Sequence, residues 1–233
     1  MERYSRQELL LGKKAQDKLN KSTVAIVGIG ALGTTAANLL ARAGVNLALF
    51  DIDVIELSNL QRQTIFTEED VGKSKALQAA TYLKRVNSTV QIEAYNVFVD
   101  FKNVHNLKKY NVILDCTDSM EARFCINDFC VENKKVWIMC SVVQSLGRIK
   151  VFLPGKACLR CIYAPQVILE QCGKCNSLGI LNTVCSVMAA MQVNECIKIL
   201  TKQKPCEELI AYDIMKQSFE KIYTKKRKQC ICH

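Results

Sequence analysis

The 233-residue chain has no long uninterrupted apolar run. The longest candidate, Gly179 to Leu200, carries Asn182, Gln192, Asn194, Glu195 and Lys198, which excludes a comfortable membrane span and favours a buried helix. No secretory pattern opens the chain: Met1-Glu2-Arg3-Tyr4 leads straight into a polar amphipathic stretch. Internal repeats and low-complexity linkers are absent, so the segments read as parts of one globule. Acidic residues are in deficit, 22 against 32 basic, for a net charge of +10. Part of the excess lies in Lys225-Lys226-Arg227-Lys228, which suits either a solvated surface or an acidic partner. No basic motif is interleaved with aromatics, so a nucleic-acid partner has no support. The expectation is a soluble, cytoplasmic protein with neither a membrane nor a nucleic-acid partner.

What is present suits an α/β fold. Hydrophobic residues make up 49% of the chain, enough for a full core. Residues 5–20 read as helical with a break at Gly12. From Thr23 to about Cys140, short apolar strands alternate with helical segments. The strands are Thr23–Val27, Asn46–Phe50, Val90–Tyr95, Asn111–Asp115 and Val136–Cys140; the helices include Thr34–Ala43 and Lys75–Val86. This alternation predicts a Rossmann-like, mainly parallel sheet flanked by helices. Gly147–Leu153 alternates in a way that suggests an antiparallel addition. A helix over about Val184–Leu200 follows, and the segments Glu208–Tyr212 and Ser218–Tyr223 close the chain as strands. The expected organisation is a single domain, 1–233. It comprises a helical arm (1–22), a nucleotide-binding core (23–150) and a C-terminal part (151–233).

The first strand runs into Gly28-Ile29-Gly30-Ala31-Leu32-Gly33. Gly28 allows the tight turn, Gly30 lets a phosphate approach the backbone, and Gly33 lets the next helix pack on the sheet. Asp51 ends the second strand, where a carboxylate can accept hydrogen bonds from ribose hydroxyls. By itself this fingerprint reads as a nicotinamide-dinucleotide site. The run Asn59-Leu60-Gln61-Arg62-Gln63 and then Lys75 alter that reading. Hydride transfer has no special use for two cations, whereas nucleotidyl transfer builds charge on a polyphosphate that cations must neutralise. Asp118 lies just past the strand Asn111–Asp115, at the edge where ligands bind, and suits Mg²⁺ through its oxygens. Each residue also has a plainer reading: Arg62 and Lys75 as surface charges, Asp118 as the N-cap of the following helix.

Together, Arg3-Tyr4-Ser5-Arg6-Gln7, the glycine loop, Asp51-Ile52-Asp53, Ser58 to Gln63, Lys75 and Asp115-Cys116-Thr117-Asp118 resemble the ThiF/MoeB/HesA family, relatives of ubiquitin-activating enzymes. The resemblance extends from Arg3 to His233. It implies adenylation, with ATP and Mg²⁺, of the C-terminal Gly-Gly carboxylate of a small ubiquitin-like sulfur-carrier protein serving thiamine or molybdopterin synthesis. Under it, Asp51 holds the ribose, Asn59, Arg62 and Lys75 the phosphates, and Asp118 the metal-linked end of ATP. Gly28, Gly30, Gly33, Asp53 and Gln63 complete the nucleotide site. Arg6 reaches the phosphates of a neighbouring subunit, which implies a homodimer. Sulfur is expected from another protein.

The thirteen cysteines divide into groups. Cys116, Cys125, Cys130, Cys140, Cys185 and Cys196 lie in apolar segments and read as small core residues. Cys158-Leu159-Arg160-Cys161 is a C-x-x-C pair, which suits either half of a zinc site or a redox motif. The distant C-terminal cluster favours zinc. The family pattern has a second C-x-x-C there, and this chain departs from it with Cys230-Ile231-Cys232-His233. On that spacing the zinc set is Cys158, Cys161, Cys230 and His233, with Cys232 the rival for the fourth place. The third pair is Cys172 and Cys175. Family position makes Cys175 the reactive cysteine, through a thioester or an acyl-persulfide, while some members work by adenylation alone.

Overall fold

The computed structural model describes residues 3–163 and 179–232. The chain begins with α1 (Ser5–Leu11) and α2 (Lys13–Asn20), split at Gly12, whose φ of +82° breaks the helix. There follow β1 (Thr23–Val27), α3 (Ala31–Arg42), β2 (Asn46–Phe50), α4 (Lys75–Val86), β3 (Ile92–Tyr95), β4 (Val112–Asp115) and α5 (Met120–Glu132). Then come β5 (Trp137–Val143), β6 (Leu146–Phe152), α6 (Leu159–Ile162), α7 (Asn182–Leu200), β7 (Leu209–Asp213) and β8 (Ser218–Ile222).

Among the described residues, eight strands form one sheet in the order β3-β2-β1-β4-β5-β6-β7-β8. The first five are mutually parallel, and β6, β7 and β8 are added antiparallel. The order reverses direction between β1 and β4, which opens a crevice outside the carboxyl ends of those two strands. The sheet runs unbroken from the expected nucleotide-binding part into the C-terminal part, because the β5–β6 hairpin spans residue 150.

Strand alternation supplies a core on each face. Val24, Ile26, Leu47, Leu49, Val112 and Leu114 point to the side covered by α3, α4 and α7. Ala25, Val27, Ala48, Phe50, Ile113, Trp137 and Met139 point to the side covered by α5. A strand buried on both faces needs apolar residues at both parities, hence the continuous runs in β1, β2 and β4. Helix α7 is long and apolar enough to pass for a membrane span by length and composition. Here it packs on the sheet, with Met188 lying where a side chain on Gly147 of β6 would stand.

Several element boundaries differ from expectation by one or two residues, and two differ by three. Helix α3 starts at Ala31, three residues before the expected Thr34, so Gly33 belongs to its first turn. Strand β5 runs on to Val143 because β6 pairs with it as far as Leu146.

Candidate nucleotide site and cysteine cluster

The crevice is built from three loops at the carboxyl edge. The first follows β1. Gly28 has φ +89°, and a Cβ there would come within 2.8 Å of the Cys116 carbonyl oxygen and 3.0 Å of the Thr117 nitrogen. Only glycine lets the loop pass this close to the end of β4. A Cβ on Gly33 would fall 1.9 Å from the Gly28 carbonyl oxygen. A Cβ on Gly30 would meet nothing nearer than Gln63 Nε2 at 3.9 Å, so this face of the loop is open to a phosphate.

The second loop follows β2. Asp51 Oδ2 accepts the Ile29 N–H at 2.6 Å and Oδ1 accepts the Asp53 N–H at 2.8 Å. The carboxylate thus ties the glycine loop to β2 and keeps lone pairs for a further donor. Burial raises its pKa, against the lowering effect of these N–H groups and of Lys75.

The chain then makes a long excursion, 54–74, and returns. The Ile55 N–H donates to the Lys73 carbonyl and the Gly72 N–H to that of Ile55. This return places Lys75, the first residue of α4, against Asp53. The Lys75 N–H donates to the Asp53 carbonyl at 3.0 Å, and Nζ lies 2.8 Å from Asp53 Oδ2. Lys75 is buried, and Asp53 is exposed. Within the excursion, Asn59 closes a reciprocal capping box with Glu56. Arg62 Nη1 donates to the Ser58 carbonyl at 2.9 Å, and the half-buried side chain keeps its other donors. Gln63 is 2% exposed, lies beside Gly30, and its Oε1 has no hydrogen-bond partner among the described residues. A buried acceptor left unpaired costs about 1–3 kcal/mol, so a ligand donor at this loop suits it.

The last loop follows β4. Asp118 is exposed and makes no hydrogen bond among the described residues. It is not the N-cap of α5: Ser119 is, its side-chain oxygen accepting the Ala122 N–H at 3.2 Å. Arg6 lies elsewhere. Its helix is anchored at the amino edge of the sheet, where Asn87 Nδ2 donates to the Tyr4 hydroxyl and Gln7 Nε2 to the Ala43 carbonyl. Arg6 is exposed there and does not reach the crevice of its own chain.

Sequence reasoning missed two residues of this edge. Arg123, in the first turns of α5, is buried and paired with Asp115. Gln192, named above only as part of an apolar helix, joins α7 to the ends of β4 and β5. A single arginine entering the apolar segment Phe124–Cys125, eight residues beyond a strand-end aspartate, was the available signal.

The second cluster lies on the α5 side. Cys158 Sγ is 3.8 Å from Cys161 Sγ and 3.6 Å from Cys230 Sγ. The ligand atoms of Cys158, Cys230 and Cys232 all lie within 4.8 Å of one another. Four thiolates about 2.3 Å from a tetrahedral zinc stand about 3.8 Å apart, so these sulfurs fit the ion. Cys232, the expected rival for the fourth place, is within the group; His233 lies outside the described residues. The Arg227 N–H donates to Cys161 Sγ at 3.4 Å, and Cys232 Sγ donates to Asp128 Oδ1 at 3.4 Å. Arg160 holds Asp128 through two 2.7 Å bonds. The six expected core cysteines are all buried thiols, and burial raises their pKa values, to about 11 for Cys125 and Cys185. Cys172 and Cys175 lie outside the described residues.

A doubly wound sheet with an open glycine loop, a strand-end carboxylate and neighbouring cations at its switch point defines a nucleotide-binding α/β protein. Within that class the chain belongs to the ThiF family, whose pattern matches residues 4–232. It is 36% identical over 237 residues to the adenylyltransferase and sulfurtransferase MOCS3 of Danio rerio, across 98% of this chain and 52% of that protein. The MOCS3 of Drosophila persimilis is 38% identical over 203 residues, across 85% of this chain and 45% of that protein. The chain therefore spans about half the length of the curated relatives it matches. Among solved structures, E. coli MccB with ATP matches with a TM-score of 0.87 at 24% identity, covering 100% of this chain and 74% of that one. That likeness concerns the fold.

Proposed function

We propose that this protein adenylates the C-terminal Gly-Gly carboxylate of a small ubiquitin-like sulfur carrier, using ATP, in the cytoplasm. The observation that carries the reading is the open face of Gly30, whose nearest neighbour is the Gln63 side-chain nitrogen, with the Asp53–Lys75 pair one strand over. An open backbone cradle and a nearly buried cation fit the phosphates of a nucleoside triphosphate. Membership of a family whose relatives include adenylyltransferases weighs against the nicotinamide-dependent oxidoreductase considered from the glycine loop alone.

The chemistry follows from the residues. A carboxylate is a poor electrophile. Attack of its oxygen on the α-phosphorus of ATP breaks the bond to the β-phosphate, releases pyrophosphate and leaves an acyl-adenylate with a good leaving group. Negative charge gathers on the departing pyrophosphate. Lys75 spends one of its three donors on Asp53 and has two for phosphate oxygens. Arg62 uses one of its five donors on Ser58 and has the rest for the same charge. Asn59 shapes the turn that presents Arg62. Asp51 accepts from the ribose, and Gln63 accepts a donor at the loop. Mg²⁺, held by Asp118, would neutralise phosphate charge. Cys175 is the candidate for a covalent link to the carrier. Arg6, remote from its own crevice, serves a partner subunit's site in a homodimer. Zinc on Cys158, Cys161, Cys230 and either Cys232 or His233 would tie the C-terminal tail to α5 and α6. The carrier belongs to thiamine or molybdopterin synthesis.

The test is ATP–pyrophosphate exchange with purified Gly-Gly-ending carriers. Exchange should require a carrier and vanish in Asp118→Ala and Arg62→Ala while their melting temperatures persist. Tight NAD binding without ATP binding, or no exchange with any carrier from the same cell, would overturn the proposal.

A further inference from the structure

Asp115 and Arg123 form the only ion pair among the described residues with both side chains buried, 0% and 7% exposed. Burying two charges is costly, and an apolar pair of similar volume often serves stability as well or better. The contacts show what else the pair does. Arg123 Nε donates to Asp115 Oδ2 at 2.7 Å, and Nη2 donates to the Thr117 carbonyl at 2.6 Å. The same Nη2 lies 3.4 Å from the Cys140 carbonyl on β5. The other carboxylate oxygen, Asp115 Oδ1, accepts both the Thr117 N–H at 3.0 Å and its hydroxyl at 2.7 Å. The turn 115–117 is thus gripped from both sides by one guanidinium and one carboxylate. Two residues further on, Ser119 is fixed as the cap of α5. Asp118 is held between two immobilised neighbours, with its own carboxylate unengaged among the described residues. The same turn abuts Gly28, so it also sets the distance from Asp118 to the glycine loop.

We infer that Arg123 is a positioning residue for Asp118: its planar fork, acting through Asp115 and the Thr117 carbonyl, aims the Asp118 carboxylate at the metal-bearing end of the nucleotide. This rests on the reading that Asp118 meets Mg·ATP. Lysine cannot replace the fork, because a single ammonium cannot hold the carboxylate and the two carbonyls in one plane.

The experiment measures ATP affinity by calorimetry, with Mg²⁺ and with EDTA, for wild type, Arg123→Lys, Asp118→Ala and the double variant. Melting without nucleotide monitors the fold. Wild type should bind ATP more tightly with Mg²⁺. Asp118→Ala should abolish that gain, and Arg123→Lys should cut it roughly tenfold, the scale of losing an outer partner of a metal-binding carboxylate. In the Asp118→Ala background, Arg123→Lys should change nothing further. Thr117→Val, which removes only the hydroxyl bond to Asp115, should lower the gain by a smaller factor and decides the matter if Arg123→Lys does not fold. An Arg123→Lys loss equally large in both backgrounds, an unchanged Mg²⁺ gain in Arg123→Lys, or in a non-folding case an unchanged gain in Thr117→Val, would overturn the inference alone. A wild-type protein that does not bind ATP overturns the adenylation reading and this inference with it.

Discussion

Gln192 offers a direct measure of what holds α7 to the strand ends that bear the site. It is wholly buried. Nε2 donates to the Asp115 carbonyl at 3.0 Å and to the Ile138 carbonyl at 2.8 Å, and Oε1 accepts from Cys116 Sγ at 3.2 Å. Gln192→Leu keeps most of the volume and removes all three bonds. At about 1 kcal/mol net for each hydrogen bond, the loss is about 3 kcal/mol. The larger apolar area of leucine offsets about 1 kcal/mol of it. The expected destabilisation is therefore about 2 kcal/mol. With a urea m-value of about 3 kcal/mol/M for a chain this long, the unfolding midpoint should fall by about 0.7 M. Urea titration followed by far-ultraviolet circular dichroism reads this directly. A change below about 0.5 kcal/mol, typical of surface substitutions, would refute the view that these three bonds secure the helix.

Other perturbations test separate parts of the molecule. Gly33→Ala puts a methyl group 1.9 Å from the Gly28 carbonyl, so the turn must move. We expect a loss of about 1–3 kcal/mol in thermal unfolding together with weaker ATP binding, and an alanine variant of wild-type stability would contradict the packing role. Cys158→Ser and Cys230→Ser should each lower the zinc content of purified protein by mass spectrometry, and full occupancy in both would remove the cysteine cluster as a metal site. For Asp70, burial raises the carboxyl pKa, but the Thr67 N–H, the Thr67 hydroxyl and Lys73 outweigh it and hold the pKa below its ordinary value. A depressed folded-state pKa contributes stability that is present above the unfolded value of about 3.9 and is lost as pH falls through the folded one. Asp70→Asn should therefore be less stable than wild type at pH 7, with the difference shrinking below about pH 4. A difference independent of pH would show that the capping box, and not the charge, accounts for it.

Much of the fold was legible because its signals are local. Five apolar strands alternating with helices, and a glycine loop directly after the first, specify a doubly wound sheet with its ligand edge at the carboxyl ends. Helix α4 falls on Lys75–Val86 as read, since a polar run precedes it and amphipathic spacing carries it. Helix α3 starts before the expected Thr34 because the end of the glycine loop is itself helical. Gly33 lies inside the helix, and the close approach its fingerprint position implies is to the Gly28 carbonyl, a partner the local pattern does not name. Asp118 could be read from sequence either as a cap or as a ligand. The structure assigns the cap to Ser119, a difference of one residue that depends on backbone geometry.

The sequence by itself determined the residue types, the order of elements and the presence of a nucleotide cradle, because propensity, apolar alternation and glycine chemistry act over a few residues. It also carried the family resemblance in the run Asn59 to Gln63. Only the tertiary structure decided which side chains meet. It brought Lys75 to Asp53 across 22 residues, Arg123 to the Cys140 carbonyl across 17, and Gln192 to the Asp115 carbonyl across 77. Such pairings follow from strand order and helix packing, which close loops too long for local preference to encode.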